Sequence, residues 1–267
     1  MMGALAWGGG IFLAAAGAWL GWRWGQRNRR RKRARARFHA AAFPRAWAAV
    51  LRRRMPVYPR LPEEIRQRLE AQVKVFLAEK TFTACGGLPK VDDAMAVTIA
   101  GHACLLLAGR EGADCFPTVQ SVLVYPGVFS SEMRTYDHTI GWEVVGTVAR
   151  EGEASPAGSV VLAWCAVLQT NALAGNGHNV VLHEFAHHVR PGGGNLPAVL
   201  AEGLRALRTN ENEAVIDRYG AQNAEEFWAV SVEAFFEMPR RLREAHPELY
   251  RALEEFFALD PAAWERV

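Results

Sequence analysis

The sequence predicts an α+β fold, mainly helical with a small β-sheet, preceded by one N-terminal transmembrane helix. Three observations predict it. Residues 2–22 carry no charged side chain, and an apolar stretch of about 20 residues is long enough to cross a bilayer as a helix. A few strand-like runs fall among helical ones before residue 180, whereas only helical repeats follow. At residues 183–187, His-Glu-Phe-Ala-His sits at helical spacing inside an apolar run.

Trp7, Trp19, Trp22 and Trp24 flank the apolar stretch as candidate interfacial anchors. Residues 27–37 then hold eight positive side chains. By the positive-inside rule this run stays cytoplasmic. The expected protein is therefore single-pass in the inner (cytoplasmic) membrane, with its body in the cytoplasm and the Arg-rich run against anionic lipids. A cleaved signal peptide would carry its charges before the apolar stretch, not after it. Three segments follow: an anchor (1–25), a basic juxtamembrane stretch (26–42) and a folded body (43–267).

The whole chain is +3, so removing those eight charges leaves a net of −5. A mildly acidic body argues against a nucleic-acid partner. Cys85, Cys104, Cys115 and Cys165 show no C-x-x-C spacing, which excludes a cysteine zinc site. In the cytoplasm they should be reduced thiols.

Residues 38–57 are rich in Ala and Arg, with Trp47 and Leu51, and predict a helix ending near Pro56 and Pro59. Leu61-Pro62-Glu63-Glu64 opens another, with proline early and two acids in the first turn. Ile65, Leu69, Val73, Phe76 and Leu77 continue it, and Cys85-Gly86-Gly87 ends that region. Residues 94–108 predict an apolar helix containing His102. Residues 121–125 predict a buried strand ended by Pro126-Gly127, with further strands at 142–148 and 159–164. Beyond the His-Glu-x-x-His run, helices are expected at 197–208, 224–237 and 248–259.

The His183-Glu184-Phe185-Ala186-His187 run matches H-E-x-x-H, the zinc-peptidase signature. Residues four apart share a helix face, so both imidazoles can point at one ion. Glu184 is placed to take a proton from water at that ion, since zinc lowers the pKa of a bound water to about 7. Val180, Val181 and Leu182 make the run apolar and Pro191-Gly192-Gly193-Gly194 stops it, so the motif is expected on a short buried helix. His188 projects about 100° away and is not expected to be a ligand. His178 and His102 are expected in polar contacts, and Asn179 is left undecided.

Catalytic zinc takes three protein ligands, and no third histidine follows the motif. Glu202, Glu211, Glu213, Glu225, Glu226, Glu233 and Glu237 are the candidates. Glu233 stands out as the lone charge in Phe227–Phe236. A buried carboxylate needs a cation, which zinc would supply, although Arg205 or Arg240 would serve as well. The expected metal set is His183, His187 and Glu233.

The stretch from Gly177-His178-Asn179 through His187, and that from Tyr219-Gly220-Ala221 through Glu237-Met238-Pro239, resemble the Mlc titration factor A family of zinc peptidases. Phe76-Leu77-Ala78-Glu79-Lys80, Cys85-Gly86-Gly87-Leu88, Val97-Thr98-Ile99-Ala100 and Ser121-Val122-Leu123-Val124-Tyr125-Pro126-Gly127 echo it. The resemblance spans residues 43–261. It implies a zincin-like, gluzincin-type peptidase similar to the catalytic core of anthrax lethal factor, with Zn²⁺ as cofactor and peptide or protein substrates. Aminopeptidase-type activity is ascribed to some members. The name-giving member also binds a sugar-responsive transcriptional repressor, which makes a transcriptional regulator a second partner class, with the zinc site then mainly structural. Two positions depart from the pattern: Arg190 replaces an Asp, and Ala234 stands where some relatives carry Tyr. If a tyrosine stabilises the oxyanion, Tyr219 is the nearest in sequence.

Overall fold

The computed structural model describes residues 41–137, 142–150, 152–155, 158–172, 175–210 and 213–264, with Arg35 and Phe38. Two units divide the chain, 1–42 and 43–267, and the second holds the fold. The expected membrane span lies outside the described residues. Among the described residues no helix is long and apolar enough to cross a membrane.

Helix α1 (Arg45–Arg54) buries Ala48 and Leu51 and stops at Met55-Pro56. Helix α2 (Glu63–Glu79) starts after Pro62, with Glu63 and Glu64 favourably placed at its positive N-terminal end. Strand β1 (Thr81–Ala84) follows at once; the sequence reading did not anticipate so short a strand. Lys80 between them is buried, and its Nζ donates to the carbonyls of Phe116 and Val119, each at 2.7 Å. Those bonds satisfy an ammonium that burial would otherwise penalise. Helix α3 (Asp93–Leu105) is capped by Asp92, whose Oδ1 accepts from Met95 N at 2.8 Å. It is buried on nearly every side between α1 and α2, as an all-round apolar helix must be.

Strand β2 (Ser121–Tyr125) is central and parallel to β1. Strands β3 (Phe129–Asp137) and β4 (Trp142–Arg150) pair with each other as a separate antiparallel hairpin, so the expected strand at 142–148 does not join the main sheet. Strand β5 (Gly152–Ser155) runs antiparallel to β6 (Ser159–Ala163), which is parallel to β2. The main sheet therefore reads β1-β2-β6-β5. Val122, Val124, Val160 and Leu162 alternate onto its core face. Strand β6 gives way one residue early to helix α4 (Trp164–Ala172).

Helix α5 (Val180–Ala186) carries the motif and packs on this sheet and on α3. Phe185 closes an aromatic cluster with Phe116 at 4.9 Å and Phe76 at 5.6 Å between ring centroids. Burial of such a side chain is worth about 1.5–3 kcal/mol, so one apolar residue inside the motif ties it to the core. Helices α6 (Leu196–Thr209), α7 (Ala224–Glu237), α8 (Pro239–Ala245) and α9 (Pro247–Phe257) complete the body. The α8 segment starts at Pro239, where a proline ends α7 and opens a new helix. The observed architecture is α+β, mainly helical with a small mixed sheet.

Candidate metal centre

Asn179 starts the motif helix. Its Oδ1 accepts from Leu182 N at 3.1 Å, the side-chain cap that an α-helix N-terminus needs. Its Nδ2 donates to Glu237 Oε1 at 2.7 Å and lies 3.1 Å from His102 Nδ1. His102 Nε2 in turn donates to Arg54 O at 3.3 Å. Asn179 is fully buried, so these contacts satisfy a group that would otherwise be costly to bury. The residue left undecided in the sequence is the joint between α3, α5 and α7.

Helix α7 then clamps α5 along its length. Trp228 Nε1 donates to Ala186 O at 2.9 Å near the C-terminal end of α5. Glu233 Oε1 accepts from Asn179 N at 2.6 Å at the other end. Asn223 caps α7 by accepting from Glu225 N and Glu226 N, each at 2.9 Å. That cap makes Glu226 the third helical residue and Glu233 the tenth. Seven residues is close to two turns, so both carboxylates face α5.

They meet His183 from opposite sides. His183 Nδ1 donates to Glu233 Oε2 at 2.8 Å, and His183 Nε2 lies 3.0 Å from Glu226 Oε2. His187 Nε2 lies 3.7 Å from the same Glu226 oxygen. The His183 and His187 rings are 5.1 Å apart at 75°. Among the described residues, His183, His187 and Glu226 form a group whose donor atoms lie within 4.8 Å of one another. Two imidazoles and a carboxylate converging on one point are a donor set suited to a divalent transition metal.

Of the three expected ligands, the structure brings His183 and His187 together but holds Glu233 behind them. Both Glu233 oxygens are engaged on the far side of the imidazole, and Oε1 also takes His178 Nδ1 at 3.2 Å. In this structure the carboxylate isolated in an apolar helix meets Asn179 N and two histidines. Glu226, one of the candidate acids but not the one the sequence singles out, is the more open of the two: its side chain is 19% exposed against 3% for Glu233. Nor does Glu233 pair with Arg205 or Arg240 in any contact of this network. The carboxylate expected at position 190 is an exposed Arg190, and Glu233 gives His183 the outer carboxylate that orients a metal-binding ring.

Electrostatics follow the same geometry. Burial alone would lower the His183 pKa, but the bonds to Glu226 and Glu233 outweigh it and raise it to about 10. Burial would raise Glu233, yet His178 and His183 hold it below the usual carboxylate range. His187 is pushed down, first by burial and then by the neighbouring His183 charge. In the absence of a metal, a proton on His183 thus balances the two carboxylates.

Glu184 is buried on the next face of α5, under the edge strand β5. A Cβ built on Gly152 would lie 2.4 Å from Glu184 Oε1, so this position needs glycine for the strand to pass over the carboxylate. No feature of the sequence points to Gly152. Tyr219, in the 3₁₀ turn Arg218–Ala221, is 45% exposed with its ring 6.0 Å from that of His183. His188 turns away, its Nδ1 3.2 Å from Thr118 Oγ1. The four cysteines are free thiols.

Comparison with known proteins agrees with this geometry. The model of the glucose-regulated metallo-peptidase M90 family matches residues 26–197 and 195–258. An uncharacterized protein of Synechocystis is 35% identical over 237 residues, covering 82% of this chain and 85% of the relative. Mlc titration factor A of Pectobacterium atrosepticum is 29% identical over 81% of this chain and 87% of its own length. Mlc titration factor A of Escherichia coli is 27% identical, covering 84% and 88%.

Proposed function

This chain belongs to the glucose-regulated metallo-peptidase M90 family, and from that premise we propose that it is a zinc-dependent peptidase, anchored to the membrane and facing the cytoplasm. The observation that carries the reading is the convergence of His183, His187 and Glu226 beside a buried Glu184. The nitrogen and carboxylate donors fit zinc, which His183, His187 and Glu226 would hold with the three protein ligands typical of catalytic sites. When bound there, zinc supplies Lewis acidity and makes water acidic enough to ionise near neutral pH.

The chain's own groups do the rest. Glu226 replaces Glu233 as the third ligand in this reading. Glu233 holds the Nδ1 proton of His183, so that Nε2 presents its lone pair to the metal. Glu184 takes the proton of the attacking water and passes it to the leaving amine. Tyr219, beside His183 and exposed to solvent, is placed to donate its hydroxyl to the developing oxyanion. A purely structural metal site has no use for Glu184, and that supports the enzyme over a passive fold. Residues 2–22 and the basic run at 27–37 support the membrane anchor and the cytoplasmic side.

The name shared by several relatives, Mlc titration factor A, supports a second reading in which the chain captures a transcriptional regulator. Metal analysis and digestion of a peptide library, wild type beside Glu184→Gln, tests between them. Zinc bound with wild-type-only cleavage supports the peptidase. Zinc bound without cleavage by either protein supports the binding protein.

A further inference from the structure

A cavity of about 370 Å³ opens between α6, the turn at 213–216, the first turn of α7 and the α8–α9 junction. Its floor is apolar, formed by Leu207, Ile216, Phe227 and Leu249, all buried. Gly203 lets α6 approach this floor, since a Cβ there would lie 2.6 Å from Phe227 Cζ. The volume sits at the small end of ligand sites, which suits a single ring or a short chain.

One charged group is built into the wall. Glu213 is 8% exposed at its side chain. Its Oε1 accepts from the backbone N–H groups of Ala214, Val215 and Ile216, and from His246 Nε2 at 3.2 Å. Among the described residues Oε2 accepts no hydrogen bond. Burial would raise the Glu213 pKa, but the backbone bonds and His246 outweigh it and hold it below the usual carboxylate range. A carboxylate oxygen with an unused lone pair beside an apolar floor favours a cationic donor over a neutral one.

The rim adds to this preference. Glu202 and Glu248 are exposed at the mouth. Arg218 and Arg241, which adjoin the cavity, direct their donors to the carbonyls of Leu207, Asn210 and Ala214. A metal ion is a poor fit: among the described residues, no three acids here converge as the His183 group does. The walls are too apolar for a hydrated ion, whereas an organic cation matches both the charge and the floor.

We propose that this cavity is a binding site for a small organic cation, an amidinium or ammonium group seated on Glu213 Oε2 with its apolar body against Phe227 and Leu249. The site is separate from the metal centre and does not depend on peptidase activity.

Ligand-observed NMR on the full-length protein tests it, with benzamidinium as the probe and benzamide as its neutral match. Benzamidinium should bind saturably and benzamide at least tenfold more weakly, the ratio one charge-assisted contact supplies. Glu213→Gln should cut benzamidinium binding at least tenfold. Ala206→Trp, at an exposed lining position, should block the cavity and abolish binding while metal content and Tm stay unchanged. Equal binding of the two probes, no saturable binding of benzamidinium, or benzamidinium binding that survives Ala206→Trp would overturn the proposal. Should Glu213→Gln fail to fold, the Ala206→Trp comparison still decides.

Discussion

Glu226 and Glu233 lie two turns apart on one face of α7 and approach the same imidazole from opposite edges, at 3.0 Å from Nε2 and 2.8 Å from Nδ1 of His183. In the proposed reading, one helix supplies both a carboxylate for the metal and the carboxylate that sets the ring. Their environments differ although their helical face does not. Glu226 borders the opening, while Glu233 is sealed behind His183 and Asn179.

This division predicts two different losses. Glu226→Ala should leave the purified protein without stoichiometric zinc. Glu233→Gln should retain zinc but bind it about 10–100-fold more weakly, the usual effect of removing an outer partner. Competition with a chromophoric chelator measures both. Tight zinc in Glu226→Ala together with metal loss in Glu233→Gln would reverse the two roles.

Glu184→Gln should keep near-stoichiometric zinc and lose cleavage by at least ~10²-fold, the ordinary contribution of a general base. Gly152→Ala should produce a related defect from the strand side, because its Cβ would collide with the Glu184 carboxylate. Metal content beside single-turnover cleavage separates these effects. An active, zinc-loaded Gly152→Ala protein would mean that β5 does not hold Glu184 in place.

The raised pKa of His183 carries a sign. In the metal-free protein its value of about 10 lies above the ordinary 6.5. The stabilisation from its charged contacts is therefore complete below pH 6.5 and is lost as pH rises through about 10. At pH 8 metal must displace that proton. Zinc binding should release about one proton from His183, read by calorimetry in buffers of different ionisation enthalpy. No dependence on the buffer would show that His183 is already neutral.

Asn179→Ala removes a helix cap and takes one hydrogen bond from Glu237 Oε1 and one from His102 Nδ1. Loss of the cap alone costs roughly 0.5–2 kcal/mol, and the two lost bonds add about 1–3 kcal/mol. The urea midpoint should fall at an unchanged slope. A midpoint within error of wild type would show that water replaces the side chain fully.

The proposed anchor predicts that the protein sediments with membranes at high salt, and that a cytoplasm-dependent reporter fused after Val267 is active. Release by salt would mean that the Arg run alone attaches it by screened charge. A mature N-terminus near Ala16 would instead mark residues 2–22 as a cleaved signal.

Much of this protein is local, and local physics is written in the chain. The four-residue spacing of His183 and His187 required one helix face, and strand 121–125 and helix 224–237 appear at the predicted bounds because their patterns and stop signals are self-contained. The short strand Thr81–Ala84 and helix Pro239–Ala245 left too few residues for a period to register. Strand 142–150 shows its own extended pattern, but its partner, Phe129–Asp137, is a matter of pairing.

The third ligand was of that second kind. By sequence, a lone carboxylate in an apolar helix needs a cation, and Glu233 does have one in His183 when that ring is protonated. Which face of the imidazole each carboxylate meets depends on where Asn223 starts α7 and how Trp228 and Asn179 lock it against α5. The sequence by itself determined that His183, Glu184 and His187 share one helical turn and its cap, because four residues span about one turn. Only the tertiary structure decided that Glu226 meets Nε2 of His183 and Glu233 its Nδ1, because the docking of one helix on another is set by contacts that no spacing along a single chain segment encodes.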